Sequence, residues 1–189
     1  MHYDEYRNLI NHVLEEDKTT GGNEGDDLVN YTRMNVQRMR RLDKTTELDR
    51  SFRKKLADVE RPWYWLVLTE GWCGDAAQNV PVLAKMAEVN SKIDLRLILR
   101  DENLEIMDQY LTNGGRAIPK LICLDAQTLE EIGTWGPRPE PAQEMVREYK
   151  ENQDREYKEL ARDLHKWYAE DRTQTIQQEI SEKLDEWRN

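Results

Sequence analysis

The stretch PWYWLVLTEGWCGDAAQ, Pro62 to Gln78, constrains the fold of this chain more than any other. Six consecutive apolar residues, Trp63 to Leu68, lie between Pro62 and Gly71. A short aromatic and aliphatic run bounded by breakers is the pattern of a buried strand. Immediately afterwards Ala76, Val80, Leu83 and Ala87 fall on one face of a helix predicted over Asp75 to Val89. The chain therefore passes from strand to helix within a few residues, and Cys73 sits at the junction.

Further along, Asp94 to Arg100 alternates Leu95, Leu97 and Leu99 against Arg96, Ile98 and Arg100, which is strand periodicity. A short helix is predicted over Asn103 to Leu111, closed by Asn113 and Gly114. Lys120 to Leu124 and Leu129 to Trp135 read as two strands joined by a turn at Asp125 to Thr128, and another helix begins near Pro141. The order strand, helix, strand, helix, strand, strand, helix implies an α/β fold, a mixed central sheet with helices on both faces.

Helical spacing flanks this middle. Tyr6, Leu9, Ile10, Val13 and Leu14 mark a first helix, and TTGGNEGDD, Thr19 to Asp27, reads as an exposed loop. A second, long helix is expected from about Leu28 to Val59, which holds no glycine or proline. After Glu151 the apolar positions Tyr157, Leu160, Leu164 and Tyr168, then Ile176, Ile180, Leu184 and Trp187, predict a helical tail with a stripe that must pack on something. The expected organisation is an N-terminal helical extension over residues 1–61, a core over 62–150 and a C-terminal helical extension over 151–189. Covering the sheet, building a partner surface and forming a dimer are all open to these extensions.

Charge and composition exclude several classes. A net charge of −10 argues against nucleic acid as the main partner. The longest apolar run is far short of the roughly 20 residues that span a bilayer. The acidic start MHYDEYRNLINHVLEED lacks the basic head and apolar core of a secretory signal, so a cytoplasmic chain is expected. His2, His12 and His165 are scattered without ligand spacing, so no metal is expected, and surface or capping roles are their default. Nine basic residues between Arg33 and Lys55 read as a solvated helix face, or one that pairs with the acidic C-terminal tail.

A cysteine at the start of a helix gains from unpaired N–H groups and the positive dipole end, both of which favour the thiolate. Asp75, two residues on, disfavours a second negative charge. The two effects oppose one another and leave the sign of the shift open. Cys123, on a predicted strand, reads as a small core residue.

Three features together resemble the thioredoxin family. Trp72, Cys73 and Gly74 look like the start of its W-C-G-P-C motif. Pro81, eight residues after Cys73, matches the proline that kinks the active-site helix. RAIPKLICLD, Arg116 to Asp125, resembles the R-G-I-P-T segment, with Pro119 in the place of the family's cis-proline and Ile118 before it. The resemblance covers about residues 62–150 and implies a thioredoxin-like fold with Cys73 as catalytic nucleophile. Trp72, Gly74, Asp75, Ile118 and Pro119 would line the substrate groove.

The departures bear on activity. Ala76 stands where the resolving cysteine would be, Asp75 replaces the motif's proline, and Val67 replaces the family's buried aspartate. A dithiol cycle needs the second thiol to release the mixed disulfide. The expected function is therefore monothiol disulfide exchange through Cys73, with a disulfide- or thiol-bearing protein as partner and an external low-molecular-weight thiol as resolving agent. The alternative is a non-catalytic binding module. No cofactor is expected: the C-G-F-S motif of iron–sulfur-binding monothiol glutaredoxins differs here at both later positions.

Overall fold

The structure, a computed structural model, describes residues 1–22, 25–152 and 156–188. Its centre is a four-stranded sheet of order β2-β1-β3-β4. Strand β1 is Trp63–Thr69 and β2 is Ile93–Leu99, and the two run parallel. Strand β3, Lys120–Asp125, is antiparallel to β1, and β4, Glu131–Trp135, is antiparallel to β3.

Alternation along β1 divides the core between the two faces of the sheet. Trp63, Trp65 and Val67 enter one apolar cluster with Leu95, Leu97, Leu121 and Cys123. Leu66 and Leu68 belong to a second, smaller cluster with Ile98, Ile118 and Ile122. The larger cluster is covered by α1 (Tyr3–Glu15), α2 (Asp26–Thr45), α3 (Arg50–Ala57), α4 (Gly74–Ala87) and α8 (Gln174–Trp187). The smaller one is covered by α5 (Leu104–Met107) and the segment before Pro119. Helices thus lie on both faces, as the sequence order implies. Tyr6 and Ile10 of α1, and Ile176, Ile180 and Leu184 of α8, share the larger cluster with β1.

Several predicted boundaries move, each for a local reason. The long helix from Leu28 to Val59 is two helices. The chain turns extended at Thr46, and Asp49 starts α3 by accepting hydrogen bonds from the Ser51 and Phe52 amides at 2.8 and 3.1 Å. Gln177 of α8 holds this break, donating to the Glu47 carbonyl and accepting from the Asp49 amide. The helix expected over Asn103 to Leu111 is only α5, because Asn113 and Gly114, at φ 51° and 75°, form the two-residue turn of a small bridge between Thr112 and Gly115. Leu129, at φ 61°, is a turn residue, so β4 begins at Glu131. The Asp125 carboxylate organises that turn by accepting from the Gln127 and Thr128 amides.

The TTGGNEGDD loop is not wholly exposed: Thr19 and Thr20 are buried, and residues 23 and 24 lie outside the described residues. The C-terminal run is α6 (Glu140–Glu151), with Pro141 in its first turn, then α7 (Tyr157–Asp171) and α8, and its residues 153–155 lie outside the described residues. Arg172 and Thr173, both left-handed, separate α7 from α8. Among the described residues no helix is long and apolar enough to cross a membrane.

Candidate functional site

The end of β1 and the start of α4 bring Cys73 to the seam between the two apolar clusters, where it packs against both. Cys73 is the N-cap of α4, and its sulfur accepts from the Ala76 amide at 3.4 Å. Its thiol donates to the Ile118 carbonyl at 3.3 Å. The Ile118–Pro119 peptide is cis, as is Gly136–Pro137. Gly136, at φ 110°, lies so close to the Pro119 carbonyl that a Cβ there would be 2.4 Å from the oxygen, so only glycine fits.

The other predicted site residues gather around this thiol. The Arg100 guanidinium stacks over the Trp72 ring at 4.7 Å. Gly74, first residue of α4, lies under His165 and Arg38, whose nearest atoms would be 3.6 and 3.7 Å from a Cβ at that position. Ile118 and Pro119 are buried beside Cys73. Cys123 is fully buried in β3, between Trp65 and Gly133 across the sheet, and both cysteines are free thiols.

Asp75 has the most partners. Arg138 donates to one carboxylate oxygen through two nitrogens, at 2.9 and 2.6 Å, and the Tyr168 hydroxyl donates to the other at 2.8 Å. Asn79 donates both to the Tyr168 hydroxyl and to the Asp75 carbonyl. Arg138, Tyr168 and Asn79 come from the loop after β4, from α7 and from α4, so Asp75 ties the start of α4 to two distant segments. The Asp75 and Arg138 side chains are each only 14% exposed.

The question of sign left open by the sequence has an answer in this arrangement. Burial, and after it the Asp75 charge, push the Cys73 thiol up to about 12. The Ala76 amide and the Arg138 guanidinium pull the other way and lose. The thiol is therefore protonated at neutral pH in this conformation.

Sequence reasoning assigned no role here to Arg138, Tyr168, Asn79 or Arg38, and gave His165 a surface or capping role. His165 is instead half-buried, and Arg38 donates to its Nε2 at 2.9 Å. Apart from the contact of Asn79 with the Asp75 carbonyl one turn back, none of these has a short-range signature. Arg138 is 63 residues from Asp75, and Tyr168 reads as one more apolar position on a helical stripe. Among the described residues no group of three or more His, Cys, Asp or Glu side chains could hold a metal.

The fold that carries this thiol is shared with solved structures. Two solved structures cover 98% of this chain and 98% of their own at 18% identity. One is a 1.5 Å crystal structure of a protein of unknown function from Pseudomonas aeruginosa, with a TM-score of 0.61. The other is an HIV epitope scaffold, with a TM-score of 0.58. At that identity they establish likeness of fold. No curated protein matches the sequence. The thioredoxin family model matches residues 21–158, a span that begins before α2 and ends inside α7. On that match, the chain belongs to the thioredoxin family.

Proposed function

We propose that this protein is a thiol-disulfide redox protein that acts as a monothiol through Cys73. The observation that supports this reading is the placement of its thiol, where the start of α4 meets the Ile118–Pro119 segment. In the reaction the Cys73 thiolate attacks one sulfur of a substrate disulfide. A mixed disulfide forms, and the other sulfur leaves as a thiolate. An external thiol, as its thiolate, then attacks the substrate sulfur of that mixed disulfide, regenerating Cys73 and leaving as the new disulfide. Trp72, Gly74, Ile118 and Pro119 would line the groove for a disulfide-bearing protein, and Asp75 would border it. The segment 62–150 would carry the chemistry, and the flanking helices would shape access to it.

The protonated thiol fixes the pace of the first step. With the Asp75 network closed, little thiolate forms near neutral pH, so exchange is slow. Release of α7 would free Asp75 from the Tyr168 hydroxyl and open the start of α4 to water.

The same observation favours a second reading, a binding module in which Cys73 is a packed relic. The two readings separate in one experiment. Reduced protein is incubated with hydroxyethyl disulfide, adducts are identified by mass spectrometry, and glutathione is then added. The monothiol reading expects a mixed disulfide on Cys73, absent in Cys73→Ser, that glutathione removes. Absence of an adduct in both the wild type and Tyr168→Phe, where α7 is loosened, would support the binding module.

A further inference from the structure

The last turns of α2 and the end of α7 face one another across a cleft of about 330 Å³. Its chemistry is one-sided. Arg41 and Arg172 line it together with Thr45, Thr46 and Thr173, and no aspartate or glutamate does, in a chain whose net charge is −10. Neither arginine has a carboxylate partner among the described residues, and the Arg41 guanidinium makes a long hydrogen bond, 3.5 Å, to Gln78. The Thr46 hydroxyl is buried and has no partner among the described residues. The Thr173 hydroxyl accepts from Gln177, which leaves its own proton free to donate.

The backbone adds an independent observation. Arg172 and Thr173 are consecutive left-handed residues, at φ 50° and 67°. Glycine or asparagine usually ends a helix in this conformation, because other side chains adopt it at a cost. An arginine in that strained conformation points to a use for its side chain. Cations near two helix C-termini do offset the dipoles. That accounts for the sign of the charge, but not for a cleft lined by two guanidinium groups and three threonines with no carboxylate.

We propose that this cleft binds the phosphate group of a small phosphomonoester, held by Arg41 and Arg172 and by the hydroxyl of Thr173. Guanidinium forks match phosphate oxygens in pairs, and the threonine hydroxyl adds one more donor. The volume lies at the small end of ligand sites, which suits a phosphate with a compact organic group. Tyr168 forms part of the wall, while its hydroxyl reaches Asp75 on the side of the thiol. The site does not depend on any chemistry at Cys73.

Titration calorimetry at constant ionic strength tests this with inorganic phosphate, ribose 5-phosphate and ribose as probes. Inorganic phosphate and ribose 5-phosphate are expected to bind saturably and ribose not at all. Arg41→Gln and Arg172→Gly should each weaken binding roughly tenfold. Arg172→Gly relieves the positive φ, so its melting temperature should stay or rise, and its loss of binding then reads the guanidinium alone. No saturation by about 10 mM of either phosphate, a range that covers millimolar affinities, would overturn the proposal. Unchanged binding in the double variant would overturn it too.

Discussion

Helices α7 and α8 follow one another with the same three-and-four spacing of apolar residues, yet they are fastened in different ways. In α8, Ile176, Ile180 and Leu184 are at most 2% exposed and join the main core, and Trp187 meets Trp63 and Trp65 edge to face, each at 6.3 Å. In α7 only Leu160 and Tyr168 are buried, and neither belongs to the two apolar clusters. Its ties to α2 and α4 are polar, from Tyr168 to Asp75 and Asn79 and from His165 to Arg38. A fully buried aliphatic side chain contributes about 1.5 to 3 kcal/mol, and a hydrogen bond nets about 1. α8 should therefore open only with the whole fold, and α7 at lower cost. The weakly held helix is the one joined to the neighbour of the candidate nucleophile.

The sharpest way to break this contrast is to empty the α8 side of it. Ile180→Ala should cost about 3 kcal/mol of global stability, read by urea unfolding. A loss below about 1 kcal/mol would show α8 to be as loosely held as α7. Asp75→Asn removes the charge that holds both Arg138 and the thiol, and should cost about 2 kcal/mol, since the pair is only partly buried. It should also move the pH profile of Cys73 alkylation to lower pH, because the nearby negative charge is gone while Arg138 stays. An unmoved profile would remove Asp75 from control of the thiol.

Tyr168→Phe deletes the hydroxyl alone. The expected change is about 1 kcal/mol, confined to α7, seen as faster amide exchange there and faster Cys73 alkylation at fixed pH. Equal acceleration in α8 would mean that the two helices open together.

The smallest effect is on pH dependence. His165 accepts from Arg38 through Nε2, so it is neutral with its proton on Nδ1, and burial followed by the Arg38 charge pulls its pKa below the ordinary 6.5. Below that value the unfolded chain takes up a proton that the folded chain resists, so stability falls as pH drops through 6.5. His165→Gln should flatten this part of the melting-temperature profile. A profile unchanged by the substitution would take His165 out of the α7 attachment.

Much of the fold was legible in the sequence because it rests on local pattern. β1, β2 and α4 follow from the apolar run, the alternation and the helical spacing between Pro62 and Arg100. The errors fell where a side chain or a turn overrides propensity. Asp49 starts a helix inside a breaker-free stretch, and Asn113–Gly114 turns the chain where a helix was expected to end. At the site, the meeting of Cys73 with Ile118 and Pro119 followed from the family's motif. The partners of Asp75 did not, since an ion pair between residues 75 and 138 leaves no mark on either neighbourhood.

By itself, then, the sequence determined that a strand-to-helix junction presents one thiol with no second cysteine in its motif, because residue type and short-range periodicity are written locally. Only the tertiary structure decided that this thiol is held protonated. That outcome is a balance of burial, the Asp75 charge and the Ala76 amide beside the thiol, and the Arg138 guanidinium from a distant loop, and such a balance exists only once they are packed together.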